Sequence, residues 1–479
     1  MPEQFDQSVV DTSLFEIGKH VGNLAKQYFG NFIEVSKTQT KSQMMVETAK
    51  LMRKGTNVIA EGAFSYKSNF CMVDLLRKNE EGYDLIEVKS STGSATDTAK
   101  KVKEIYYDDI AFQTYVVTGN GFPIKNVLLM QLNKGYVRQG DLDIQDLFVL
   151  TDCTEQVNEM LPFVEARISY ICALAEQQSE PDISIGSKCD SPYVCGFRKW
   201  CFRNLPQNNI FQIGWGMKGS LKDSAYSDGI ITFQQVADSS VDLSEKQLRQ
   251  ISTTINKASV HIDKEAVSAF LDSVSYPLCF LDFETLQQPI PLWNNVSPYA
   301  QLPFQYSLHI RQSRDSSLIH KEYLAPAGHD PRRALAEQLC SDIPPNSCVL
   351  VFNMSFEKGQ IRKLALLFPD LKDELDSIHD SIIDLASPFQ SGAYYTPAMG
   401  GSYSIKSVLP ALFPDDKELD YHSLNLVQNG NDAMKAYGSL PFKDSEEREA
   451  IQAALLAYCK LDTYAMVKIL EKLYESVSS

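Results

Sequence analysis

The sequence predicts an α/β protein built of two globular halves. Three observations carry this expectation. Short apolar runs of strand length interleave with amphipathic helical patterns in both halves. Each half sets acidic residues inside such an apolar run. A polar stretch over residues 204–260 separates the two. The length, 479 residues, suits two to four domains at roughly 100–200 residues each. With 44% hydrophobic and 22% charged residues, the chain can bury a core and is not of disordered composition.

In chain order, residues 12–29 carry helical apolar spacing at Leu14, Ile17, Val21, Leu24, Ala25 and Tyr28. Runs 70–76 and 83–88 flank the polar turn 78–82 and predict a hairpin. Helical patterns follow at 98–117 and 153–178, then a Ser/Pro/Gly-bearing stretch at 186–203. Residues 204–260 hold candidate helices at 220–226 and 244–255 and a turn at 229–231, and predict a small helical connector. From His261 a short helix leads into strand 278–283. Further strands are expected at 304–311 and 347–352, and helices at 355–368, 403–412 and 445–475. The predicted domains are 1–203, 204–260 and 261–479.

Charge narrows the function classes. Lys plus Arg number 45 against 61 Asp plus Glu, a net charge of −16, so there is no general basic coat for passive nucleic-acid binding. A metal-dependent nuclease, which gathers carboxylates around cations, stays compatible with that charge. No apolar run reaches the ~18–20 residues of a membrane-spanning helix. The start, MPEQFDQSVV, has neither a basic segment nor an apolar one, so a cytoplasmic protein without a signal peptide is expected. In that compartment ten cysteines read as thiols or metal ligands rather than a disulfide framework.

In the N-terminal half, CMVDLLRKNEEGYDLIEVKS places Asp74 on one strand and Glu87-x-Lys89 on the next. Alternation puts Glu87 and Lys89 on one face, and Asp74 can meet them across the hairpin. Two carboxylates beside an ammonium suit phosphodiester hydrolysis: the carboxylates hold Mg²⁺, and the lysine orients water or stabilises charge. A solvated hairpin with ordinary charges is the competing reading. With AFQTYVV on the following helix, the region resembles the RecB-like branch of the PD-(D/E)XK nucleases, over about residues 12–203. The resemblance implies a restriction-endonuclease-like fold, Asp74 and Glu87 as metal ligands, Lys89 as the catalytic lysine, and Gln113 as a residue that contacts DNA or supports the site. His20 is a further candidate ligand, and Glu61 is expected to be structural.

Cys189, Cys195 and Cys201 are spaced C-x5-C-x5-C. Thiolates at such density suit Zn²⁺ or an iron–sulfur cluster, and the resemblance implies 4Fe–4S. The chain departs from that family in spacing, and no cysteine precedes Cys71, so a fourth ligand is not identified. Three free thiols in a loop remain the alternative. Cys153 and Cys172 fall in helical patterns and are expected to be buried.

In the C-terminal half, YPLCFLDFETL sets Asp282 and Glu284 two apart on an apolar strand. Buried together they are costly unless cations neutralise them. LLAYCKLDTYAMVKIL is an amphipathic helix with Tyr458 and Asp462 one turn apart on one face. Between them, VFNMSFEKGQIRKLA carries Asn353 and, at a helix start, Glu357. Two divalent ions need about four carboxylates from different elements, and a tyrosine hydroxyl can position the attacking water. The set resembles the DnaQ-like 3′–5′ exonucleases of ribonuclease H-like fold, over about residues 276–475: D-x-E at Asp282 and Glu284, N-x-x-F-D at Asn353, Phe356 and Glu357 with Glu in place of Asp, and Y-x3-D at Tyr458 and Asp462, the DEDDy branch. The segment YSIKSVLPALF looks like the family's helix between its second and third motifs.

The whole chain resembles an uncharacterised bacterial family in which a RecB-like nuclease precedes a DnaQ-like domain. That family label carries no settled substrate; the expectation for the whole chain is a nuclease using Mg²⁺ or Mn²⁺ on nucleic acid, DNA before RNA, with repair, recombination and defence all compatible and no membrane partner. Asn353 is expected to bind nucleic acid or support the site. Asp384 is expected to be structural. A catalytically silent nucleic-acid-binding or assembly module, or an RNA exonuclease, is the alternative. The glycine-rich AMGGSY (398–403) lacks a following GK[ST] and reads as a loop at the exonuclease cleft. Residues 214–229 read as a linker or a degenerate phosphate-gripping hairpin. Tyr299, Phe304 and Tyr306 could stack on a base or pack in a core.

Overall fold

The computed structural model describes residues 2–10, 13–94 and 101–478. It divides into two compact units. One comprises Met1–Ser184, Pro192–Phe197 and Gln288–Ala300; the other comprises Ile185–Ser191, Arg198–Gln287 and Gln301–Ser479. Both mix helices with sheets, the α/β character expected from the sequence.

The first unit is built on a six-stranded sheet in sequence order: β1 (Ile33–Glu34), β2 (Val58–Tyr66), β3 (Asn69–Lys78), β4 (Tyr83–Gly93), β5 (Ile124–Asn133) and β6 (Phe148–Asp152). Strands β2, β3 and β4 form an antiparallel meander, and β4 then pairs parallel with β5. That parallel step needs a crossover, which contains helix Glu104–Thr118. The expected hairpin is present, with Leu75 opposite Ile86. Residues 98–100 of the expected helix 98–117 lie outside the described residues; the described helix begins at Glu104.

Side-chain alternation gives this sheet two apolar faces. Ile59, Leu76, Leu85 and Leu129 join Ile110, Val117 and Val157 on one face. Ala60, Leu75, Ile86 and Met130 join Val21 and Ala25 of helix Ser13–Gln27 on the other. The second face also takes in Ile290, from the Pro- and Asn-bearing segment Gln288–Ala300. This segment is tied down by Arg138, which donates from its backbone N–H to Val296 O at 3.0 Å and from its guanidinium to Pro291 O at 2.9 Å. The sequence placed 288–300 in the C-terminal domain; its Ile290 side chain completes the core of the first unit instead.

The second unit carries a five-stranded sheet ordered β10 (Ile319–Leu324), β9 (Gln301–Arg311), β8 (Leu278–Gln287), β11 (Cys348–Val351), β12 (Ile382–Asp384). Strands β8, β9 and β10 are antiparallel; β8, β11 and β12 are parallel. A short ladder pairs β7 (His261–Ile262) with β13 (Tyr394–Tyr395). One sheet face packs Cys279, Leu281, Phe283, Tyr306 and Leu308 against helices Arg332–Asp342, Met354–Leu367 and Lys372–Asp380. The other packs Leu278 and Phe280 against Leu461, Ala465, Ile469 and Leu473 of helix Ser445–Ser478.

Residues 204–260 are not a separate connector. They belong to the second unit and enclose their own small core of Ile210, Ile213, Phe233, Val236 and Ile251. Gln250 bridges this region internally, donating to Gln212 O and accepting from Gly214 N–H. Trp215 N–H donates to Gly401 O at 2.9 Å. A Cβ at Gly214 would lie 2.2 Å from Gly401 O, so only glycine allows the two backbones to approach this closely.

Phe304 and Tyr306 are fully buried. Phe304 stacks on Tyr437 with ring centroids 3.8 Å apart, and Tyr306 donates to Asp342. Their core-packing reading therefore holds, and base stacking at these two is ruled out by burial. Among the described residues, no helix is long and apolar enough to cross a membrane.

Candidate metal centre

In the second unit, Phe280 faces the C-terminal helix, so alternation sends Asp282 and Glu284 to the same side. Helix Ser445–Ser478 presents Tyr458 and Asp462 there, one turn apart. Carboxylate oxygens of Asp282, Glu284 and Asp462 all lie within 4.8 Å of one another, the convergent ligand group among the described residues.

Polar contacts fix the rotation of this helix. Thr463, next to Asp462 and fully buried, makes hydroxyl contacts with Ser307 at 2.7 Å and His309 Nδ1 at 2.8 Å. Gln305 donates to Leu455 O at 2.8 Å. Ser307 and Gln305 are the β9 partners of Asp282 and Glu284. The residues that bolt the helix down thus sit directly across the ladder from the acidic pair.

The electrostatics are those of crowded anions. Burial pushes Asp282 well above the usual carboxylate range, reinforced by the charges of Asp462, Glu284 and Glu357. Burial and Asp462 push Glu284 up to about 8, opposed by the Lys406 ammonium. Burial raises Asp462 to about 6, held down by hydrogen bonds from Tyr421 and Tyr458 and by Lys406. Tyr421 donates to Asp462 Oδ1 at 2.5 Å, and its ring lies 6.0 Å from that of Tyr458. Cys459 Sγ–H reaches Asp282 Oδ2 at 3.7 Å.

Glu357, in the first turn of helix Met354–Leu367, is 2% exposed, and its Oε2 is buried without a hydrogen-bond partner. Burial raises its carboxyl to about 8. It stands outside the group of three but within electrostatic reach of Asp282 and Glu284. An orphaned buried oxygen beside converging carboxylates fits a divalent cation: hard oxygen donors of several charges are what Mg²⁺ or Mn²⁺ takes. Asn353 adopts φ +102° as the helix N-cap, and its N–H and that of Met354 donate to Asp384. Asp384 also accepts from Ala386 N–H, so its oxygens are occupied in holding the helix start.

In the first unit, alternation from Leu85 sets Glu87 and Lys89 on the face covered by helix Glu104–Thr118, where they meet Gln113 and Asp109, and the charge of Asp74 reaches Glu87 from the neighbouring strand β3. Asp74 accepts from Val88 N–H at 2.8 Å. Lys89 Nζ donates to Glu87 at 2.7 Å and to Asp109 at 2.5 Å. Gln113, one turn beyond Asp109, donates to Glu87 at 2.8 Å and Asp109 at 3.1 Å. Burial and the charge of Asp74 push Glu87 up to about 8; burial raises Asp74 to about 6 against its bond from Val88. Burial works against the Lys89 ammonium, but Glu87 and Asp109 outweigh it and hold its pKa above the usual lysine value. By contrast Asp84, on the same strand as Glu87, is saturated by Arg77, Asn79 and Asn126.

Other expected residues lie apart. His20 is exposed on helix Ser13–Gln27. Glu61 is buried at φ +57° and paired to Lys26 at 3.0 Å and Lys37 at 2.9 Å. None of the ten cysteines forms a disulfide. Cys189 and Cys201 belong to the second unit and Cys195 to the first; Cys195 is exposed and the other two half-buried. Cys153 is buried, but Cys172 is exposed, because its helix buries only Val157 and Val164. Asp109, Lys406, Tyr421 and Cys459 were not expected from the sequence. Asp109 shares a helix face with Gln113, a signal that spacing alone offers; the loop-borne Tyr421 offers none.

A family described as a domain of unknown function (DUF2779) matches residues 279–404. An uncharacterized protein of Mycoplasma genitalium, MG366, is 27% identical over 209 residues, covering 40% of this chain and 31% of that protein. The match thus spans about a third of the relative's length. No solved structure matches the chain.

Proposed function

We propose that the second unit is a divalent-cation-dependent 3′–5′ exonuclease of DEDDy type on a ribonuclease H-like fold. The convergence of Asp282, Glu284 and Asp462 within 4.8 Å, beneath Tyr458, carries this reading. The mixed sheet, antiparallel on one side of β8 and parallel on the other, supports it. Bound Mg²⁺ or Mn²⁺ would polarise the scissile phosphate and acidify the attacking water. Asp282, Glu284, Glu357 and Asp462 would hold the cations. Tyr458 would orient the water by its hydroxyl, and Lys406 would offset surplus negative charge beside Glu284 and Asp462.

The first unit is proposed as a PD-(D/E)XK-type nuclease. Asp74 and Glu87 would hold Mg²⁺ there, and Lys89 would supply positive charge to the phosphate. Its meander followed by a parallel strand, with Lys89 on Glu87, supports this. DNA is the proposed substrate, in repair, recombination or defence. The test is hydrolysis of 3′-labelled DNA and RNA with Mg²⁺ and with Mn²⁺, by wild type, Asp282→Ala, Asp462→Ala and Asp74→Ala. Degradation by Asp282→Ala and Asp462→Ala at the wild-type rate would end the exonuclease proposal.

A second reading is favoured by Glu357 standing outside the group of three: a nucleic-acid-binding module without catalysis. It expects binding that survives in wild type with no product under any cation.

A further inference from the structure

Two glycine-bearing stretches remain without a role, 214–216 and 398–403. They meet in the second unit, where Trp215 N–H bonds Gly401 O and Gly214 leaves no room for a side chain. Gly400 and Gly401 are both left-handed, at φ +61° and +75°, which folds the loop tightly enough to bring Tyr403 alongside Trp215. Their rings stack at 6.0 Å and 21°. Trp215 itself sits at φ +50°, a conformation that a bulky residue adopts only when its surroundings over-determine it. Its indole Nε1 is buried without an acceptor. The backbone is thus held at a cost in an arrangement whose outcome is a ring pair with one member, Tyr403, 39% exposed.

Charge favours an anionic occupant. The chain is acidic overall, yet Lys246 Nζ lies 5.3 Å over the Trp215 ring. Lys406, three residues beyond Tyr403 and opening helix Ile405–Leu412, projects its charge onto Glu284 and Asp462. The loop that carries the exposed ring therefore leads into a helix whose first ammonium acts on the carboxylates of the metal centre. An aromatic face accepts any base, and cations beside it favour the phosphate backbone.

We propose that Tyr403, backed by Trp215 and Lys246, is the stacking platform for a base of single-stranded nucleic acid entering the carboxylate site. The proposal rests on the exonuclease reading for its substrate class. It gives residues 204–260 a role: the segment supplies Trp215 and braces the glycine loop through Gln250.

The test uses the full chain in EDTA and two fluorescein-labelled hexamers, dT6 and an abasic strand with the same phosphates, read by anisotropy. Wild type is expected to bind dT6 about tenfold more tightly than the abasic strand, the order of one base–aromatic stack. Tyr403→Ala and Tyr403→Leu should remove the preference, and Tyr403→Phe should keep it. Equal binding of the two strands by wild type, or a preference that survives in Tyr403→Ala, overturns the platform. Hydrolysis with Mn²⁺ separates the two readings. Cleavage by wild type with an unchanged KM in Tyr403→Ala overturns the platform alone. A base preference without cleavage leaves the platform and ends the exonuclease. Neither binding nor cleavage ends both.

Discussion

Tyr421 donates its hydroxyl proton to Asp462 at 2.5 Å, from a short turn Tyr421–Ser423 that precedes the C-terminal helix by more than twenty residues. Tyr458, one turn earlier in the helix, also holds the Asp462 carboxyl down. Asp462 is thus held by two phenols, one expected from the motif and one not. A hydrogen bond to a charged group contributes roughly 1.5–3 kcal/mol. Tyr421→Phe should therefore lower turnover by about tenfold or more, with Tyr458→Phe more severe. Rates on 3′-labelled DNA at saturating Mn²⁺ check this; equal rates for wild type and Tyr421→Phe would remove the second phenol from the site.

Cation binding should stabilise the second unit. At about 100 times its dissociation constant a cation adds ~2.7 kcal/mol, or about 5 °C in Tm for a unit of this size. Asp282→Asn should abolish the Mn²⁺-induced shift there, whereas Asp74→Asn should leave it intact. Differential scanning fluorimetry with and without EDTA reads the outcome.

The raised carboxyls of Glu284 and Glu357, both pushed to about 8 by burial, set a pH dependence. The folded protein retains protons that the unfolded chain releases above its ordinary glutamate range. Stability of the cation-free protein therefore falls as pH rises from about 4.5 to about 8. Urea midpoints in EDTA should drop across that window less steeply in Glu284→Gln and Glu357→Gln than in wild type. Mn²⁺ should reverse the loss at the alkaline end.

Thr463→Val removes a buried hydroxyl shared by Ser307 and His309. Leaving buried polar groups unpaired costs about 1–3 kcal/mol, so the urea midpoint should fall by a corresponding amount. Because Thr463 sets the rotation of Asp462, activity should fall as well, whereas a comparable core truncation such as Leu473→Ala should cost stability with less effect on rate.

In the first unit, Asp109→Asn weakens one of the two ion pairs on Lys89. If Lys89 acts on phosphate, the change should alter Mg²⁺-dependent cleavage attributable to Asp74 while leaving Asp462-dependent product unchanged. A product pattern insensitive to both Asp109→Asn and Asp74→Ala would argue that the first unit does not cut.

The periodic elements were legible from residue spacing. Strand 278–283 lies within β8, and the helices at 355–368 and 445–475 match Met354–Leu367 and Ser445–Ser478 closely, since apolar alternation and 3.6-residue spacing are local signals. Strand β2 was missed because Gly62 and the left-handed Glu61 interrupt its pattern. The acidic pair and the Tyr458–Asp462 turn were readable because each lies within one element. Tyr421 and Lys406 were not, because a short turn and a separate helix bring them in from outside the acidic motifs, and no spacing encodes that path. The role of Gln288–Ala300 in the first unit was equally hidden: QPIPLWNNVSPYA reads as a turn-rich connection whichever core its Ile290 enters.

The pairing of Asp282 with Ser307 and Glu284 with Gln305 makes assembly of the centre an all-or-nothing event. Slipping β8 by one residue against β9 would turn both carboxylates toward the opposite layer and away from Asp462, while Ser307 and Gln305 went on holding the C-terminal helix. Misregistered chains would therefore keep a docked helix over a centre short of two of its four carboxylates, and a population of such molecules would titrate as a mixture of competent and inert copies.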